Sequence, residues 1–383
     1  MLANRRLFLT GALTALAAAP LAAQHYAGSP AGTQPIFPPP DARSVWLVGD
    51  DFPRSPALMA SRLSELAGMP GAARDGYLNG GAVEALETAF ATLLGKQACA
   101  FFATGTLANN VALRVLCGDD HHALCQQDSH LYRDESDAAQ RLAGINLVPL
   151  AAGHASPTLD ELTAAFDAAE KGPYALKVGA ISLETPVRRL DGEMIPAARI
   201  AEIAALAKAH GTPMHLDGAR LLLAPPSLDV KAYVAPFETV YVSLYKYLGA
   251  PFGAVLAGST ATIAKAREYR HLYGGLIYQG WAPAMLALNS LNGFPALMAR
   301  AHGVAEELIA SLERSRKIRR RPNASTSNIH MLEMPRSLAE AAFERGRVAG
   351  VRIGKWQDGA VPLYVNQTIL RRPAAEYARI YIG

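Results

Sequence analysis

His215-Leu216-Asp217-Gly218-Ala219-Arg220 closes one apolar run of the chain, and Tyr241-Val242-Ser243-Leu244-Tyr245-Lys246 closes the next. Each run reads as a buried strand, and each delivers an ionisable group, Asp217 or Lys246, to its C-terminal end. In an open α/β sheet, ligands bind in the crevice outside that end of the strands. Strand-helix alternation extends the pattern in both directions. Upstream, Val83, Leu86, Phe90, Leu93 and Leu94 recur at helical spacing, with Gly95 placed to end the helix. A short buried strand over 98–103 and an apolar helix over 107–116 follow. Further strands are expected over 146–150, 177–183, 212–217, 239–243 and 254–257, with helices over 159–171 and 197–210. This alternation predicts an α/β fold, a mostly parallel sheet flanked by helices.

Beyond about residue 269 the pattern changes. Helix-like sections over 281–291 and 296–315 lead into a basic run, 314–321, which reads as a solvated helix end rather than a binding patch. Strand candidates over 329–334 and 363–365 belong to a smaller α+β C-terminal domain, with no evident closing helix after them. The expected organisation is a signal peptide over 1–23, a linker or N-terminal arm over 24–45, a large domain over 46–280 and a small one over 281–383. No internal repeat is present.

Half of the 383 residues are apolar and 18% are charged, which fits a packed globular protein and not a disordered chain. The formal charge is +4, of which Arg5 and Arg6 supply two. The remainder gives no reason to expect a nucleic-acid or acidic-membrane partner. Asn4-Arg5-Arg6-Leu7-Phe8-Leu9-Thr10, an Ala-rich apolar stretch and Pro20-Leu21-Ala22-Ala23 have the form of a secretory signal. The paired arginines resemble a twin-arginine address, which predicts a periplasmic or secreted protein, with a cytoplasmic one as the alternative. Gly11, Thr14 and Pro20 interrupt the apolar run, so it is a poor membrane span. Cys99, Cys117 and Cys125 have no metal-ligand spacing.

Chemistry concentrates in a few segments. Thr104-Gly105-Thr106 joins a strand to a helix. Gly105 lets the backbone approach a ligand closely, and the helix amides with the Thr hydroxyls are suited to a phosphate. Read alone, the turn is an ordinary N-cap at Thr106. His130, in Asp128-Ser129-His130-Leu131-Tyr132 with Glu135 close behind, reads alone as a surface or core residue and, given the other parts, as an imidazole stacked on a planar ring. Singly, Asp217 is a turn cap and Lys246 a surface amine. Together they are what a pyridoxal 5′-phosphate (PLP) enzyme needs: a Schiff-base lysine and an acid for the pyridinium nitrogen. PLP is the cofactor these residues predict.

The ordered set of Gly-Thr turn, His, Asp217-Gly218-Ala219-Arg220 and Lys246-Tyr247-Leu248-Gly249-Ala250-Pro251 resembles the threonine aldolase and β-eliminating lyase family of fold-type I PLP enzymes. The resemblance runs roughly over 45–291. It implies Lys246 as the Schiff-base lysine, Asp217 as the pyridinium partner, His130 as the stacking ring and Gly105 and Thr106 as phosphate ligands. Arg220 would face the cofactor hydroxyl or the substrate carboxylate. A homodimer or homotetramer with a small amino acid substrate is implied as well.

The substrate side departs from that pattern. Gly49-Asp50 stands where the family has Ser-Asp, and Val187 of Glu184-Thr185-Pro186-Val187 where it has His. Tyr278 replaces an Arg, the C-terminal Arg is replaced near Leu363, and Tyr245 precedes the lysine in place of Ser. Asp50 and Tyr278 remain substrate candidates. Tyr132, Arg188, Tyr245 and Arg371 or Arg372 are possible replacements for the lost groups. The expected activity is aldol-type cleavage of a β-hydroxy amino acid. The alternatives are β-elimination, racemisation, or an exported PLP-binding protein with altered catalysis.

Overall fold

The computed structural model describes residues 43–323 and 325–383. The expected signal peptide and nearly all of the expected arm lie outside the described residues. Among the described residues twelve strands follow in chain order: β1 (Val45–Trp46), β2 (Ala98–Phe102), β3 (His122–Gln126), β4 (Asn146–Leu150), β5 (Val178–Glu184), β6 (Met214–Asp217), β7 (Thr239–Ser243), β8 (Ala254–Gly258), β9 (Arg319–Arg320), β10 (Ile329–Glu333), β11 (Val351–Arg352) and β12 (Ala360–Tyr364). A seven-stranded sheet has the order β2-β8-β7-β6-β5-β3-β4. Strand β8 runs antiparallel to both neighbours, and the pairs joining β7, β6, β5, β3 and β4 are parallel. Because β8 reverses direction twice over, β2 points the same way as β7. Six strands therefore end at one edge, and the loops leaving β2, β3, β5, β6 and β7 meet there.

The sequence explains this architecture locally. Every residue of β5, β6, β7 and β8 is buried, as strands covered on both faces require. The helix Gly81–Leu94 turns Val83, Leu86 and Phe90 fully inward and ends on Gly95, whose φ of 63° suits a residue without Cβ. Burying side chains of this size contributes roughly 1.5–3 kcal/mol each. One hydrophobic core runs from Val45 through the sheet to Tyr381.

Three expectations change. The chain does close on a helix, Ala374–Ile382, in which Tyr377 and Tyr381 are fully buried. Ile380-Tyr381-Ile382 has strand-like composition, so propensity hid it. Tertiary packing holds it, and Arg345 donates to the carbonyls of Ile380 and Tyr381 at 2.7 and 3.0 Å. The basic run is not a helix end: the helix stops at Arg314, and Arg319–Arg320 form β9 at the edge of β10. Its charges suit an exposed edge, with Arg319 and Arg321 on Glu333 and Arg320 on Glu306. Finally, β1 pairs in parallel with β11, and Asn366 Nδ2 donates to the Trp46 carbonyl at 2.8 Å. Residues 45–46 thus pack with the C-terminal strands. No helix among the described residues is long and apolar enough to cross a membrane.

Candidate active site

A cavity of about 380 Å³ opens at the edge where the parallel strands end. Larger clefts of about 690 and 780 Å³ lie elsewhere, and neither joins a lysine to a buried strand-end Asp. The small cavity is lined by Thr104, Gly105, Thr106, His130, Asp217 and Lys246, all singled out in the sequence, and by Asn109, Tyr241, Tyr245 and Phe252. Arg220, Asp50 and Tyr278 are not among its lining residues.

The Thr104-Gly105-Thr106 turn caps the helix Gly105–Cys117, but the N-cap is Thr104, not Thr106. Thr104 is extended, with φ −140° and ψ 156°, and its hydroxyl accepts from the Leu107 amide at 3.1 Å. Gly105 is already helical, which leaves the Thr106 hydroxyl free of capping duty. Gly105 also needs its missing side chain. A Cβ there would lie 2.1 Å from the Tyr241 hydroxyl oxygen.

Asp217 ends β6 buried. Its Oδ1 accepts from the Ala219 amide at 3.1 Å, and its Oδ2 from Asn109 Nδ2 at 2.9 Å. Asn109 Nδ2 also donates to Glu135 Oε1 at 3.0 Å. Glu135 takes a second amide from Asn110 at 2.9 Å and pairs with His130 Nδ1 at 3.0 Å. That hydrogen bond raises the His130 pKa against the opposing pull of burial. Asn109 and Asn110 were not anticipated, although polar residues inside an apolar helix, one turn after Gly105, are a visible signal.

Lys246 lies in the loop after β7. Burial, reinforced by the charge of Arg220, lowers the pKa of its amine. Arg220 is itself engaged, its Nε 2.8 Å from Asp50 Oδ1. Val187 is fully buried and carries no titratable group. Arg371 bonds the Ser44 carbonyl and lies 4.5 Å over the Phe52 ring, and Arg372 donates to the Ala349 carbonyl at 2.5 Å. Both are therefore tied to the protein itself. Tyr278 is exposed and packs edge-on against Tyr77. Arg188 is held loosely, 3.6 Å from Asp134.

Glu184 ends β5 in register with Asp217. It accepts the His130 amide at 2.6 Å and the Arg188 amide at 3.0 Å. Burial, with the Asp217 charge beside it, pushes its pKa from 4.5 up to about 7. A carboxyl that binds its proton more tightly when folded supports the fold at low pH, and that support disappears as pH rises from 4.5 to about 7. Glu184→Gln removes the titration. Relative to the parent, the cofactor-free variant should gain on the order of 1–3 kcal/mol of stability across that window. Urea unfolding at both ends of the window checks this, and an offset that does not vary with pH would refute it.

Fold and site together define a class, the fold-type I PLP-dependent enzymes. The model of the beta-eliminating lyase family matches residues 67–335, and the chain belongs to that family. It is 32% identical over 232 residues to a Schizosaccharomyces pombe protein described as a probable low-specificity L-threonine aldolase, covering 58% of this chain and 59% of that one. It is 29% identical over 228 residues to the low specificity L-threonine aldolase of Saccharomyces cerevisiae, covering 58% of each. These matches span less than two thirds of either relative's length. Among solved structures, a Leishmania major threonine aldolase superposes with a TM-score of 0.69 at 18% identity, covering 88% of this chain and 97% of that one.

The residues present fit PLP. A glycine that tolerates no Cβ opens a helix start for a phosphate, a buried carboxylate stands ready for a ring nitrogen, and a desolvated lysine shares the cavity. The volume is of the order expected for a small-molecule site, about 300–1,000 Å³.

Proposed function

We propose that this chain is a PLP-dependent aldehyde-lyase that cleaves the Cα–Cβ bond of a β-hydroxy amino acid, releasing an amino acid and an aldehyde. The observation that carries the reading is the convergence of Lys246, Asp217 and the Gly105 helix start on one cavity. Family membership supports it, as do relatives described as low-specificity threonine aldolases.

When bound, PLP supplies a sink for the electron pair released from Cα. The chain's residues do the rest. Thr104, Gly105 and Thr106 would hold the phosphate at the helix start. Asp217 would hold a proton at the ring nitrogen, since its two oxygens are already oriented by Ala219 and Asn109. Lys246 Nζ would be the amine that holds the cofactor, and burial beside Arg220 favours the neutral form this requires. Cleavage also needs a base at the substrate hydroxyl. Glu135 pins the proton of His130 Nδ1, so His130 Nε2 is left to exchange one there. Arg220, steadied by Asp50, or the loosely held Arg188 would meet the substrate carboxylate.

Threonine, phenylserine and serine supplied to the purified holoprotein test the proposal. Glycine plus the matching aldehyde is the expected result. Pyruvate plus ammonia would reassign the protein to β-elimination, and inverted amino acid to racemisation. Bound cofactor without turnover would leave a binding protein. The homo-oligomer and the twin-arginine-like export expected from the sequence belong to the same proposal, to be tested by sedimentation and by cell fractionation.

A further inference from the structure

We propose that Asn109 is a positioning residue whose single side-chain amide ties Asp217 to Glu135 and holds the Asp217 carboxylate as an oriented anion at the cavity. The inference rests on the PLP reading for its functional meaning, but the geometry stands without it.

Three of the four hydrogen-bonding valences of the Asn109 side chain are used. Its amide nitrogen has two hydrogens, one directed at Glu135 Oε1 at 3.0 Å and the other at Asp217 Oδ2 at 2.9 Å. Its oxygen lies 3.1 Å from His215 Nε2. Carboxylates only accept, so the reversed amide would set an oxygen against two anions. The orientation is therefore dictated by the partners. It follows that His215 carries its proton on Nε2, while Nδ1 accepts from Thr239 Oγ1 at 2.8 Å. Burial lowers the His215 pKa to about 4, which keeps this ring neutral.

The position of Asn109 matters as much as its bonds. It lies four residues after Gly105 on the same helix, hence on the same face. One rigid element thus presents the phosphate end of the site and, a turn later, fixes the acid at its other end. The charged or titratable groups around Asp217 are Glu135, Glu184, His130, His215, Lys246, Arg220, Tyr241 and Tyr245. Without the Asn109 amide, three buried carboxylates share this region with nothing separating Asp217 from Glu135.

Two variants separate positioning from space-filling. Asn109→Asp keeps the shape but removes both donor hydrogens and adds a like charge beside Asp217 and Glu135. Asn109→Ala removes the shape as well. Positioning predicts that Asn109→Asp weakens PLP binding by on the order of tenfold or more, at least as much as Asn109→Ala does. It also predicts that the pH dependence of the visible absorption band of bound PLP shifts from that of the parent. Near-parental binding and spectrum in Asn109→Asp, with a defect only in Asn109→Ala, would overturn the proposal.

The second measurement needs neither a variant nor PLP. Nitrogen-15 NMR of labelled histidine in the parent protein should show the Nε2–H tautomer of His215. The Nδ1–H tautomer would mean that the Asn109 amide points the other way, and the proposal falls. A parent that takes up no PLP would defeat the cofactor reading alone, and the His215 tautomer would still decide the orientation of Asn109.

Discussion

Lys246→Ala is expected to abolish turnover, with a loss of at least ~10³-fold, because on the proposed function it removes the amine that would hold the cofactor rather than a group that tunes it. The bland alternative, a surface amine, predicts no effect. The structure sets a demanding version of the test. Lys246 shares its cavity with Asp217, and both burial and Arg220 lower its pKa. Lys246→Arg would preserve a cation there yet present no neutral amine, so it should be as inactive as the alanine variant. Borohydride treatment of the yellow parent followed by peptide mapping should leave the reduced cofactor on Lys246 and label neither variant. Turnover within tenfold of the parent in Lys246→Arg would exclude the nucleophile role.

Asp217→Asn should lower kcat by on the order of 10²-fold or more while leaving the local turn in place. An asparagine oxygen can still accept the Ala219 amide that Asp217 Oδ1 now accepts at 3.1 Å. What it lacks is the charge that, on the proposed function, would keep a proton on the cofactor nitrogen, together with a charge-assisted bond of roughly 1.5–3 kcal/mol. The variant therefore divides a capping role from a chemical one. Unchanged kcat with unchanged cofactor absorbance would reduce Asp217 to a turn cap. The same substitution should pull the Glu184 pKa back towards the ordinary carboxylate range, since Asp217 is one of the charges that raises it. The pH dependence of stability would then weaken, a consequence measurable without substrate.

Much of the fold was legible because its signals are local. The strands β2 and β4 to β8 are short apolar runs closed by Gly, Pro or polar residues, and the helices between them repeat at helical spacing. The closing helix was hidden because Ile380, Tyr381 and Ile382 are indifferent helix formers held by packing and by Arg345. The basic run misled for a related reason. Arg319 and Arg320 form a strand because β10 offers its edge and Glu333 supplies countercharge, neither of which is nearby in sequence. At the site, Gly105, His130, Asp217 and Lys246 announced themselves by residue type at strand ends. Asn109 did not, since an Asn in a helix acquires meaning only from the partners that surround it.

The pairing of Asp217 at the end of β6 with Lys246 in the loop after β7 was determined by the sequence alone. So were the sheet that brings them to one edge and the PLP chemistry they suggest. Local hydrophobic periodicity and side-chain chemistry need no knowledge of distant partners. Which groups remain available was decided by tertiary structure. Arg220 is steadied by Asp50 through Nε, whereas Arg371 and Arg372 are tied to backbone carbonyls, and Thr104 rather than Thr106 caps the helix. Asn109 reaches Asp217 across 108 residues of chain and joins it to Glu135. Charge and hydrogen-bond valence are spent on whatever lies within about 3 Å, and the fold alone brings those atoms together.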